Sequence, residues 1–259
     1  MEKEENKISF LFKKHEKLFE RVKNSKENSI YLNGYDKKEE EKIDDEKMIV
    51  ISEALKTNSS LNRIFFNNNK IGDEGIKYLS ESLKINSSIK EIVLNRNKIG
   101  DEGMKYLSES LKINTSLKEI DFYLNNIGDE GIKYLSDVLK INSSFNTINL
   151  NNNKIGNEGM KYLSDSLKIN TSLKEINLNN NNIGEKGANY ILDFLSFNNS
   201  LIKINLDENK IKNENLKKLI FSTVEENQRN PEKAKKRVEE NLKKSKIVKF
   251  SSIIMVKNK

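Results

Sequence analysis

Residues 89–116 read IKEIVLNRNKIGDEGMKYLSESLKINTS, and residues 117–144 read LKEIDFYLNNIGDEGIKYLSDVLKINSS. The second stretch is the first rewritten, 28 residues on. The register extends in both directions. Leu61, Ile89, Leu117, Phe145, Leu173 and Leu201 open successive copies, and Ile64, Ile92, Ile120, Ile148, Ile176 and Ile204 follow. Phe66, Leu94, Phe122, Leu150, Leu178 and Leu206 come next, then Ile71, Ile99, Ile127, Ile155, Ile183 and Ile211. No insertion interrupts the series. A fixed period of this length marks stacked supersecondary units, each too small to bury its own apolar face.

Each copy has two halves. Ile64 and Phe66 alternate, which is strand spacing. Ile76, Leu79 and Leu83 fall on one stripe of a helix. Asp73 reads as its N-cap, and Glu74 adds negative charge to its first turn. Asn86 stands where the helix ends, a place for a left-handed residue. Gly75 and its equivalents Gly103, Gly131, Gly159 and Gly187 fall inside the first helical turn. Glycine is unfavourable there, so close approach of the adjacent coil is expected. The glycines lack the lysine and spacing of a phosphate-binding loop. Tyr78, Tyr106, Tyr134, Tyr162 and Tyr190 flank the stripe and are expected to pack between helices.

The pattern LxxLxLxxNxIG, seen in Leu117 to Gly128, resembles the leucine-rich repeat family. The 28-residue period with a helical second half is similar to the ribonuclease-inhibitor subtype. The resemblance covers Ile43 to about Glu225. It implies an α/β fold: a right-handed, curved solenoid with a parallel sheet on the concave side and helices on the convex side. It also implies that Asn69, Asn97, Asn125, Asn153, Asn181 and Asn209 bond backbone groups in the loop after each strand. The family usually binds proteins through the concave face. Some relatives of the subtype activate a small GTPase without hydrolysing nucleotide themselves, which makes Arg63 and Arg96 the residues to test for that alternative.

Composition narrows the chemistry. The sequence has no cysteine, which excludes disulfides, thiolate metal sites and a cysteine nucleophile. His15 is the single histidine, and no Ser-His-Asp set forms around it. No signal peptide or membrane span is evident, so a cytoplasmic location is expected, with delivery into a host as a bacterial effector the alternative. Asn58, Asn86, Asn114, Asn142, Asn170 and Asn198 begin Asn-x-Ser patterns, read here as a by-product of duplication. The net charge of +7 is uneven: residues 210–259 carry fifteen Lys and Arg against six Glu, and the rest is near neutral.

Four segments follow. Residues 1–28 form an amphipathic capping helix, with Ile8, Leu11, Phe12, His15, Leu18, Phe19 and Val22 on one face. Residues 29–60 are a degenerate first repeat with Ile30 and Leu32 in its strand and six extra residues around Tyr35 to Glu41, an exposed charged loop. Residues 61–228 are the 28-residue repeats, the last altered, with Lys212 and Asn215 in place of glycines. Residues 229–259 are a basic cap. Asn230-Pro231 starts a helix from Glu232 to Lys246, and Ile247 to Val256 reads as a strand covering the sheet edge.

Strand alternation turns the remaining positions outward. They are Arg63, Phe65 and Asn67; Glu91, Val93 and Asn95; Glu119, Asp121 and Tyr123; Thr147, Asn149 and Asn151; Glu175, Asn177 and Asn179; and Lys203, Asn205 and Asp207. With Arg96, this is the candidate partner-binding face. Arg63, Phe65, Val93, Arg96 and Tyr123 give its N-terminal half the residue types of interaction hot spots, whereas the other half is an asparagine lawn. Glu119 and Asp121 lie two apart, but an open strand face offers no enclosure and no second carboxylate cluster faces them. The expected function is therefore binding of another protein by a monomer, with no catalysis, cofactor or metal. Lys233, Lys235, Lys236, Arg237, Lys243, Lys244, Lys246 and Lys249 suit weak binding of nucleic acid or an anionic surface. Interleaved aromatics are missing, and Glu232, Glu239 and Glu240 break the run, so this reading ranks behind.

Overall fold

The structure is a computed structural model that describes residues 2–243, with side chains from residue 8 onward. Its first elements are helices α1 (Glu2–Lys14) and α2 (Glu16–Lys23), strand β1 (Ser29–Tyr31) and helix α3 (Asp45–Thr57). Repeats follow as β2 (Arg63–Phe65) with α4 (Asp73–Leu83), β3 (Glu91–Val93) with α5 (Asp101–Leu111), and β4 (Glu119–Asp121) with α6 (Asp129–Leu139). Then come β5 (Thr147–Asn149) with α7 (Asn157–Leu167), β6 (Glu175–Asn177) with α8 (Glu185–Leu195), and β7 (Lys203–Asn205) with α9 (Glu214–Arg229). Residues 231–243 form a further helix, α10.

The seven strands make one parallel sheet in chain order. Ile64 pairs with Ile92, Ile92 with Ile120, and so on at every repeat step. Ile30 pairs with Ile64, six residues beyond the regular period, so the extra residues of the first repeat bulge out as an exposed loop at residues 35–41. Strands stack about 4.8 Å apart and helices about 8–10 Å apart. A stack with strands on one side and helices on the other must therefore curve, with the sheet inside. The middle residue of each strand and the helix stripe meet in one continuous core, where Phe66, Phe122, Phe145 and Phe194 are fully buried.

Three polar ladders tie the coils together. In the first, the Asn97 amide donates to Phe66 O and Leu94 O, both at 3.0 Å, while its Oδ1 accepts Ile71 N at 3.0 Å. One buried side chain thus bonds three backbone groups in two repeats. In the second, the Asn86 amide donates to Leu55 O at 2.7 Å and Asn58 O at 2.8 Å, and its Oδ1 accepts Ser88 N and Ile89 N. Asn114, Asn142, Asn170 and Asn198 repeat that role, and all are buried. Asn227 continues it, donating to Leu201 O at 2.8 Å. In the third, Asp73 Oδ1 accepts Gly100 N at 2.7 Å.

These ladders revise two local expectations. Gly72, with extended backbone, is the N-cap residue of α4, and Asp73 is the first helical residue. Its carboxylate is held by the next coil rather than by its own helix. Asn86 is not left-handed. The left-handed residues instead follow the strands: Asn68, Arg96, Leu124, Asn152, Asn180 and Glu208, with φ between 48° and 60°. A cross-coil amide bond serves the helix end better than a local cap, because it satisfies carbonyls of two repeats at once.

The ends also differ from expectation. The N-terminal cap is two helices that break at His15, whose Nε2 lies 3.6 Å from Glu46 Oε1. Leu11 and Val22 are buried against the stack, but Ile8 is exposed, because only part of the predicted face reaches α3. At the other end, Glu185 replaces the shorter acid of the third ladder and accepts Lys212 N at 2.8 Å, where the glycines are gone. Asn213 caps α9 through Leu216 N. The predicted strand Ile247 to Val256 lies outside the described residues, as do Lys244 and Lys246.

Candidate functional site

The inner strand face is set by β-pleat alternation: Ile64, Ile92 and Ile120 point into the core, so their neighbours point out. Arg63 and Glu119 are exposed, Phe65, Asn67, Glu91, Asn95, Asp121 and Tyr123 half-buried, and Val93 nearly covered. Asn149, Asn151, Glu175, Asn177 and Asn179 are half-buried, and Arg96 is exposed at its left-handed turn.

The face has two regions. At the N-terminal end Phe65 stacks on Tyr31, with ring centroids 4.6 Å apart and planes 6° off parallel. Tyr31 is 57% exposed. Arg63 donates through Nε to Ser29 Oγ at 3.1 Å, and the Arg96 guanidinium lies 5.8 Å from the Tyr123 ring centre. Tyr31 was missed by sequence reasoning because it lies in the degenerate repeat. The Ile30–Leu32 alternation would have turned it outward.

The second region is a trough of about 230 Å³ across β3 to β7, floored by Ile120, Ile148 and Ile176. The expectation of a face without enclosure is corrected here: curvature brings the side chains of five strands together. Glu91 and Glu119 pair across β3 and β4, and Asp121 joins them. Glu91 is thus a single further carboxylate beside the predicted pair, not a second cluster facing it. Burial raises the Glu91 pKa, repulsion from Glu119 adds to it, and Arg63 opposes it. Burial also raises the pKa of Asp121, with the Tyr123 N–H and the Asn95 and Asn149 amides holding part of that back. Lys203 closes the far end with an ion pair to Glu175 at 3.0 Å. Among the described residues no three His, Cys, Asp or Glu side chains are grouped to hold a metal ion.

Asp121 Oδ1 accepts Tyr123 N at 2.9 Å, as Asn149 Oδ1 accepts Asn151 N and Asn177 Oδ1 accepts Asn179 N. Much of the asparagine lawn thus stiffens the ends of its own strands. Asn69, Asn97, Asn125, Asn153, Asn181 and Asn209 lie behind the face, each donating to carbonyls of two repeats.

The C-terminal basic helix is partly occupied by its own chain. Arg237 pairs with Glu226 and donates to Asn227 Oδ1 at 2.7 Å and Leu195 O at 3.3 Å. The Lys233 and Arg237 partners lower the Glu226 pKa. No helix among the described residues is long and apolar enough to cross a membrane.

Parallel strands, a helix after each, and cross-coil amide ladders define a β–α solenoid repeat protein. A signature described as leucine-rich repeat matches residues 57–80, 86–108, 114–136, 142–164 and 170–192, and the chain belongs to the leucine-rich repeat family. Among solved structures it is similar to one titled leiomodin-1 actin-binding site 2, at 17% identity over 76% of this chain and 96% of that one, with a TM-score of 0.46. It is also similar to the tropomodulin C-terminal domain of Caenorhabditis elegans, at 16% identity over 71% and 92% of the two chains, with a TM-score of 0.48. A search of curated protein sequences returned no match.

Proposed function

We propose that the chain is a binding module, not an enzyme, and that it engages another protein through the N-terminal half of its inner strand face. The Tyr31–Phe65 stack carries this reading. Two parallel rings on a strand face, one of them mostly open to solvent, present apolar area that the core does not use. Val93, nearly covered, pairs with Phe65 on the next strand, and Tyr123 with Arg96 borders the rings. The carboxylates of Glu91, Glu119 and Asp121 lie beside it. A partner offering an apolar side chain next to Lys or Arg fits both regions.

Regulation of a small GTPase is the weaker reading, since Arg63 and Arg96 are both held by their own chain rather than standing free. Binding through the basic tail is weaker still, because Arg237 is committed to Glu226 and backbone carbonyls.

The test is affinity capture from the native organism, followed by titration of the captured protein. Tyr31→Ala with Phe65→Ala is expected to weaken binding roughly 30-fold or more, about 2 kcal/mol for one hot-spot anchor. Deletion of residues 230–259, which removes the basic cap, is expected to leave it intact in a variant whose far-ultraviolet circular dichroism shows the solenoid folded. Unchanged affinity in the aromatic variant, or loss on tail deletion alone, counts against the strand face.

A further inference from the structure

The helix-to-strand turns form a second surface. Four of them open with an isoleucine that the fold leaves outside: Ile85, Ile113, Ile141 and Ile169 are 61–64% exposed. Thr57 occupies the same register one repeat earlier, also exposed, so folding does not demand an apolar residue there. The buried asparagines one residue on bond turn to turn, Asn114 to Asn86 O, Asn142 to Asn114 O and Asn170 to Asn142 O. That ladder places the isoleucines in one row along the edge of the solenoid.

A row of lysines runs beside it. Lys118 N donates to Lys90 O, Asn146 N to Lys118 O, and Lys174 N to Asn146 O, so these residues are aligned by the backbone itself. Lys90, Lys112, Lys118 and Lys174 have no carboxylate within ion-pair distance among the described residues. Lys84, Lys140 and Lys168 in the same turns are paired with acids of the helices. The basic α10 packs at the end of this edge, where Asn241 donates to Ser196 O at 3.0 Å.

We propose that this edge docks on an anionic phospholipid bilayer. Lysines without a direct ion pair would by themselves suit any polyanion. Exposed aliphatic side chains in line with them add nothing to a phosphate backbone, but they enter the apolar boundary beneath lipid headgroups. The edge borders the strand face, since Lys90 and Lys118 line one hollow with Arg63, Glu91 and Glu119. The exposed isoleucines lie outside the trough, so a bilayer on the turns leaves the trough open to a protein.

The experiment is co-sedimentation of the full chain with phosphatidylcholine vesicles, with and without phosphatidylserine. Binding to the anionic vesicles only is expected. Ile113→Thr with Ile141→Thr, and separately Lys90→Glu with Lys118→Glu and Lys174→Glu, should each lower the partition coefficient at least about tenfold. Phe65→Ala should leave it unchanged. Thr57→Ile with Asn146→Lys, which lengthens the isoleucine row and fills the gap between Lys118 and Lys174, should tighten binding and keeps the test independent of any loss of fold. The proposal is overturned if anionic vesicles are not bound or if binding persists after the isoleucine change. Isoleucine-dependent self-association without vesicle binding, or binding of duplex nucleic acid in place of vesicles, also overturns it.

Discussion

The Asp73 carboxylate stands where a side chain on Gly103 would begin: a Cβ added to Gly103 lies 2.5 Å from Asp73 Oδ1, the oxygen that accepts the Gly100 amide. Successive coils are therefore locked by a carboxylate that needs the missing atom. Gly131 and Gly159 meet Asp101 and Asp129 in the same way.

Gly103→Ala should accordingly destabilise the protein. Helix propensity alone would favour alanine by about 1 kcal/mol. Displacing a hydrogen-bonded carboxylate outweighs this, giving a net loss of about 1–3 kcal/mol. In urea denaturation, adding Asp73→Ala should cost less in the Gly103→Ala background than in the wild type. A raised midpoint for Gly103→Ala would refute the steric account.

Asn153 and Leu150 test the two kinds of ladder. Asn153 donates to Phe122 O and Leu150 O, and its Oδ1 accepts Ile127 N. Truncation to alanine strands buried backbone groups and should lower stability by about 1–3 kcal/mol. Leu150→Ala opens a cavity in the middle of the stack and should cost about 2–5 kcal/mol. Both are read as shifts in the denaturation midpoint.

Leu124 holds a φ of 56° at a position where other repeats use asparagine, as at Asn152 and Asn180. Left-handed backbone is strained for leucine and tolerated by asparagine. Leu124→Asn should therefore stabilise the fold by an amount on the order of 1 kcal/mol and raise the thermal midpoint. Leu124→Val, which adds a β-branch to the same strain, should lower it.

Asp121 supplies a pH dependence. Burial raises its folded pKa above the unfolded value, so ionisation is less favourable in the folded protein. Its contribution to stability is fully present below the unfolded pKa and is lost as pH rises through the folded pKa. Asp121→Asn keeps the acceptor for Tyr123 N, as Asn149 does one repeat on for Asn151. The variant should melt higher than wild type at neutral pH and match it in strong acid. Equal melting curves at both pH values would show that the carboxyl is not desolvated.

The repeat, the division of each copy into strand and helix, and the outward set from Arg63 to Asn179 were legible in the sequence. They rest on periodicity, and a period of 28 held through six registers leaves one way to stack the copies. The close approach behind Gly75 was legible too, since glycine in a helical turn asks for a steric reason.

Contacts between coils were not legible, because a residue and its partner lie about one period apart and each looks ordinary in its own repeat. Asp73 reads as a helix cap until the next coil presents the Gly100 amide to it. Asn86 reads as a helix end until its amide reaches Leu55 and Asn58 in the coil before. Tyr31 gains its meaning from Phe65, across a pairing that skips six extra residues. The sequence by itself determined the solenoid and its inner face, since apolar spacing acts within one repeat. Only the tertiary structure decided where that face becomes a trough, how Glu91 meets Glu119 and Asp121, and which isoleucines stay outside. Curvature and inter-coil hydrogen bonding exist only once the copies are stacked.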